Sequence, residues 1–206
     1  MGWYFLTFLL AFPEAFVRVG SIEPPSAITI LISEAGVPDK VLSQAKETAA
    51  YIISHTGLEV TFLDCPTTGS MDDNTREACG RQENARFRLR IVKRRFLGLS
   101  QDTLGFSLLS GAGGSAYVVY PEVEKFAQDL FPAIEQDDYD DAVILTAAMS
   151  HEIGHLLLGA DAHSKNFGVM CSQWRRQHII LARQGRLLFT SEQAARMRAE
   201  VRKANR

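Results

Sequence analysis

The chain is poor in several kinds of residue, and each shortage excludes something. Its 206 residues include three cysteines and five histidines. No two cysteines are spaced CxxC, so a cysteine-based zinc site has no support. Neither sign of charge is in excess: 22 Lys and Arg stand against 24 Asp and Glu, a formal net charge of -2. A chain so balanced lacks the basic field that nucleic acid demands, and no nucleic-acid partner is expected. The densest basic stretch, Arg86 to Arg95, reads as the solvated side of a strand and its turn. No apolar run is long enough to span a bilayer as a helix, so no stable membrane span is expected. Repeats and low-complexity segments are absent. The apolar share is 46%, enough to build a core for one domain of ordinary size.

The scarce histidines are not scattered. His151, Glu152, Ile153, Gly154 and His155 spell HExxH, followed by Leu156 to Leu158 and Gly159. Residues four apart share a helix face, so His151 and His155 can offer imidazole nitrogens to one metal ion. Glu152 lies beside the first ligand and can reach a water next to the ion. Two neutral imidazoles suit zinc, and a catalytic zinc requires one more protein ligand and an open position. Several residues could supply that ligand. Asp161 lies ten residues after His151 and His163 twelve after. Cys171 and Glu192 are weaker alternatives. His55 and His178, outside the motif, read as structural or surface residues.

Hydrophobic patterning places the motif. Residues 1–12 are nearly all apolar and resemble the core of a secretory signal, without a basic start or a clear cleavage site. Export to the periplasm or exterior is expected on that reading, with residues 1–26 as signal or N-terminal extension and 27–206 as one catalytic domain. In an exported chain Cys65 and Cys79 can pair, leaving Cys171 odd. Ala27–Ile32 reads as a buried strand, and Pro38–Asp39 opens a helix with Val41, Leu42, Ala45, Ala49, Ile52 and Ile53 at helical spacing. Leu58–Leu63 is a second strand, 66–84 a polar loop, and 87–91 a third strand alternating with Arg88 and Arg90. Residues 104–114, with four glycines, read as a flexible approach. Ser115–Tyr120 is a fourth strand and a candidate edge for an extended peptide. A short helix follows at 123–130. From about Asp140 to Leu158 runs a helix apolar on most sides, hence buried, with Gly159 able to end it. Two further helical stretches lie at 173–183 and 191–204. The order predicts an α+β fold with α/β-like layers, a mixed sheet of about four strands, and the motif helix behind it.

At this point the chain resembles the metzincin metallopeptidases, whose pattern is HExxHxxGxxH, or Asp at the last position, followed by a methionine turn. The matching residues are His151, Glu152, His155, Gly159, His163 and then Gly168-Val169-Met170. The form HExxHxxLGxxxHS with a later GxM and Trp174 is similar to that of small bacterial exported metzincin-like proteins. The resemblance is sharp over 151–174 and extends over 27–180 only as an order of elements. It implies a zinc endopeptidase with His151, His155 and His163 as metal ligands, Glu152 as general base and Met170 as an apolar floor. The substrate it implies is a protein or peptide. The alternatives are a zinc hydrolase of another amide, and an inactive metzincin-shaped zinc protein that binds a partner. The departure lies in the spacing: Gly159 and His163 fall later than the pattern's glycine and third ligand. One extra residue turns the helix end by about a hundred degrees. That favours His163 over Asp161 as third ligand and leaves Asp161 as a turn residue.

Overall fold

The computed structural model describes residues 26–65, 72–81, 86–100, 102–111, 113–131 and 138–204. The apolar N-terminal run, and the export expected from it, lie outside these residues. In chain order the elements are β1 (Ser26–Ser33), α1 (Asp39–Ser54), β2 (Leu58–Asp64), α2 (Asp73–Arg81), β3 (Phe87–Val92), β4 (Gly105–Ser110), β5 (Gly113–Val119), α3 (Tyr120–Leu130), α4 (Asp138–Leu158), α5 (Arg176–Arg183) and α6 (Ser191–Ala204). One mixed sheet of five strands runs β2-β1-β3-β5-β4. Its first four strands are parallel, and β4 pairs antiparallel with β5. The fold class is therefore the expected α+β, with one strand more than the sequence suggests.

The core forms where the sheet meets α1 and α4. Ile28, Ile30 and Ile32 of β1, Leu89 and Ile91 of β3 and Ala116 and Val118 of β5 point into it. Parallel strands carry such apolar runs because helices cover them. In α4 every residue except Asp138, Tyr139 and His151 is buried. Each fully buried Ile144, Leu145, Met149 or Ile153 contributes about 1.5–3 kcal/mol relative to exposure. The helix is thereby fixed along its length, and so are the groups it carries. Three aspartates at its start meet the positive end of the helix dipole. One of them, Asp140, is buried and pairs with Arg183 of α5. Among the described residues no helix is long and apolar enough to cross a membrane.

Two stretches depart from the sequence reading. Residues 73–81, read as part of a loop, form α2. Its start is capped by Asp72, whose Oδ1 accepts from the backbone N–H of Thr75 at 2.9 Å. The helix carries polar side chains nearly all round, so it offers no apolar stripe to read. A disulfide between Cys65 and Cys79, with Cα atoms 5.8 Å apart, ties it to the end of β2. Residues 105–110, read as a flexible approach, form β4. Consequently Ser115–Val119 belongs to an interior strand, and the edge that could receive a peptide is β4, not β5.

Candidate metal site and its cleft

The motif histidines sit on the last two turns of α4. The Nδ1 of His151 donates to the carbonyl of Val169 at 2.8 Å, and the Nδ1 of His155 faces the carbonyl of Gly159 at 3.1 Å. A carbonyl can only accept, so in each neutral ring the hydrogen is on Nδ1 and Nε2 presents a bare lone pair. This is the tautomer a metal ligand needs, held by an outer partner. Gly159 adopts φ +92° and its N–H bonds to the His155 carbonyl at 2.9 Å, closing the helix. Three residues further on, Ala162 gives its carbonyl to Gln193 of α6 at 3.2 Å. The chain so held brings His163 back over the helix end.

Three Nε2 atoms then converge. His151 and His155 are 3.2 Å apart, His151 and His163 3.2 Å, and His155 and His163 3.0 Å. Three imidazoles at about 2.0–2.1 Å from one tetrahedral zinc would have nitrogens about 3.3 Å apart. The donor set therefore fits zinc in number, chemistry and spacing. Lone pairs facing one another at such distances repel unless a cation lies among them. Of the described His, Cys, Asp and Glu residues, these three form the group able to hold a metal ion. Asp161, the alternative third ligand, is exposed outside the group, and so is Glu192 at the start of α6. Cys171 is also outside it: its thiol is buried and faces the carbonyl of Gln173 at 3.3 Å. His178 is structural, accepting from the N–H of Arg175 at 3.0 Å at the start of α5. His55 is exposed and contacts the carbonyl of Tyr51 at 2.9 Å.

Met170 is fully buried and packs against α4 at Gly154. A side chain on Gly154 would begin 2.3 Å from the Met170 sulfur and 2.9 Å from a ring carbon of Phe189. The glycine inside HExxH is thus explained by packing: only a bare backbone lets the methionine approach α4 between its two histidines. Gly168, at φ +77°, makes the turn before it. The Val169 carbonyl also accepts from the Trp174 indole at 3.2 Å, so His151 and Trp174 share one anchor. The two rings meet edge to face at 5.5 Å.

Glu152 is 4% exposed and points to the other side of the histidines, toward β4. Burial pushes its carboxyl up to about 7, while a hydrogen bond from Ser107 at 2.8 Å acts in the opposite direction. Burial also pulls His151 down to about 4, and the same cause lowers His155. Neutral imidazoles at working pH are what a metal competes for best. A cleft of about 860 Å³ opens over these groups, walled by Gly105, Ser107 and Leu109 of β4, Phe126 of α3, and Trp174. The sequence reading gives no role to Gly154, Ser107 or Gly105. Of these, only Gly154 sits inside a recognisable motif.

Two histidines on the last turns of a buried helix, and a third on the chain that returns after Gly159, form a candidate metal site in a mixed α+β layer fold. Archaemetzincin from Methanopyrus kandleri has a similar structure, with a TM-score of 0.58 over 88% of this chain and 99% of that one. Sequence identity is 13%, so the likeness is one of fold. No family model matches the sequence. Nor does any curated protein match it.

Proposed function

We propose that the chain is a zinc-dependent hydrolase of peptide bonds. The observation that carries this is the convergence of three Nε2 atoms beside a buried glutamate at the floor of an open cleft. His151, His155 and His163 would hold the ion. Zinc bound there would supply a Lewis acid that acidifies water and polarises a carbonyl. Glu152 would take the proton from the attacking water and later release it to the leaving nitrogen. Burial favours the protonated carboxyl while a zinc ion beside it would favour the carboxylate, so both forms are within reach of the cycle. An extended peptide would pair with the outer edge of β4, placing its backbone along the cleft. Met170 would form an apolar floor.

The catalytic unit would comprise residues 27–206, and residues 1–26 would direct export. The Cys65–Cys79 disulfide supports that destination, since such bonds persist in oxidising compartments.

Zinc content and turnover together test the reading. Purified protein should hold about one zinc per chain, with hydrolysis of casein or a peptide library lost on chelation. Glu152→Gln should keep the zinc and lose activity by several orders of magnitude. Bound zinc with no turnover on broad libraries would instead indicate a binding protein of the same shape. Near-native turnover in Glu152→Gln would remove Glu152 from the chemistry.

A further inference from the structure

Two residues of β4 meet the Glu152 side chain. Gly105 and Ser107 are two apart on a strand, so they face the same side, here toward α4. A Cβ on Gly105 would lie 2.9 Å from both Cγ and Oε1 of Glu152, and 2.6 Å from the carbonyl of Tyr117. The strand therefore closes onto the glutamate with no room for a side chain. Two residues along, the Ser107 hydroxyl lies 2.8 Å from Oε2 of Glu152 and 3.1 Å from its backbone carbonyl. One residue leaves space for Oε1 and the other binds Oε2.

We infer that Gly105 and Ser107 form a cradle in which Ser107 is a positioning residue for Glu152. The inference rests on the proposed role of Glu152 as general base. Ser107 engages Oε2 and Gly105 makes room for Oε1, so the strand places both oxygens. A buried carboxylate without such a partner would sample other rotamers. Because the cradle belongs to the edge strand of the sheet, the strand proposed to receive peptide is bonded to the base that acts on it. Pairing of a peptide with β4 would then tighten the groups around Glu152 instead of merely filling the cleft.

Ser107→Ala and Ser107→Thr of the zinc-loaded full chain test this, on a cleavable peptide selected from a library. Loss of an outer partner of this kind should lower kcat by about 10- to 100-fold with KM and zinc content unchanged. Threonine retains the hydroxyl and should restore most of the rate. Crystal structures add a readout independent of turnover: Glu152 should occupy one rotamer in the native and Thr proteins and several in Ser107→Ala. The inference is overturned if Ser107→Ala keeps its kcat, if only KM or zinc changes, if Thr recovers nothing, or if Glu152 keeps a single rotamer in the Ala variant. Failure of the underlying reading looks different, because Glu152→Gln itself would then remain active.

Discussion

The sheet has two edges, and the molecule treats them oppositely. At the β2 edge, Lys46 of α1 pairs with Asp64 at 2.8 Å, and a disulfide fastens α2 to the strand's end. Exposed positions there are polar, as in Glu59 and Thr61. At the β4 edge the strand runs antiparallel, exposes Leu108 and Leu109, and lines the cleft over Glu152. An unpaired strand edge with apolar side chains is a hazard unless something is meant to occupy it. One edge is tied down by covalent and ionic links, and at the other no further strand pairs with β4 among the described residues. Strength at β2 and access at β4 can be broken separately.

The largest effect belongs to the β4 side. His163→Ala removes one of three nitrogens and should cost most of the bound zinc, measured by metal analysis after dialysis. His151→Ala or His155→Ala should do the same. Full zinc retention in all three would refute the site. None of these substitutions should loosen α2 or the β2 edge.

Next comes the disulfide. Cys65→Ser with Cys79→Ser opens a link between residues 14 apart, worth about 3 kcal/mol for a loop of that size. Denaturant midpoints should fall accordingly while kcat on a cleavable peptide stays native. A loss of kcat comparable to the loss of stability would show that the two edges are coupled.

Acid and base act on the site in opposite senses once the metal is stripped. The folded carboxyl of Glu152 is raised from an ordinary 4.5 to about 7. Stability from this group is complete below 4.5, falls as pH rises through 7, and stays low above it. His151 is depressed from 6.5 to about 4, so its contribution is complete above 6.5 and is lost as pH falls toward 4. Glu152→Gln removes only the first of these. The metal-free variant should therefore be more stable than native at about pH 8, by on the order of 1–3 kcal/mol, and no more stable at about pH 4. Equal melting temperatures at both pH values would mean that the carboxyl is not strained by burial. The same residue would serve catalysis at a cost in stability.

These expectations rest unequally on what the sequence discloses. The motif helix is legible because α4 is apolar on most sides and carries His151 and His155 four apart, and local spacing alone fixes that geometry. His163 is legible only through the extra residue before Gly159, since the return of the chain depends on contacts with α6. The strand β4 escapes reading for a physical reason. Gly105, Gly113 and Gly114 look like flexibility, yet a Cβ on each would strike neighbouring backbone at 2.6, 2.1 and 2.4 Å. Close approach and looseness use the same residue. The cradle around Glu152 is therefore invisible until the strand is paired.

A subtler change probes the β4 edge itself. The N–H of Val119 bonds to the Leu104 carbonyl at 2.8 Å, and alternation along an antiparallel pair then turns the backbone of residues 105, 107 and 109 outward. Leu109→Pro removes one outward N–H without touching the β5 ladder, a position where proline is tolerated. A peptide that pairs there loses one hydrogen bond, about 0.5–1.5 kcal/mol, so KM should rise roughly two- to tenfold with kcat retained. An unchanged KM would place the substrate elsewhere in the cleft.

The smallest effect is expected at Asp161, and it sharpens the choice of third ligand. From sequence, Asp161 serves as a turn-forming residue whose loss costs stability. In the structure it is exposed, and among the described residues its side chain has no hydrogen bond or ion pair. The turn is held by other groups: Gly159 closes the helix, Gln193 takes the Ala162 carbonyl, and Arg196 takes that of Leu158 at 3.2 Å. Asp161→Ala should thus shift stability by less than about 0.5 kcal/mol, as surface substitutions do. Its zinc content should be native, against the deep loss in His163→Ala. If Asp161→Ala instead sheds zinc and His163→Ala keeps it, the carboxylate form of the family pattern applies and the chain must turn differently after Gly159.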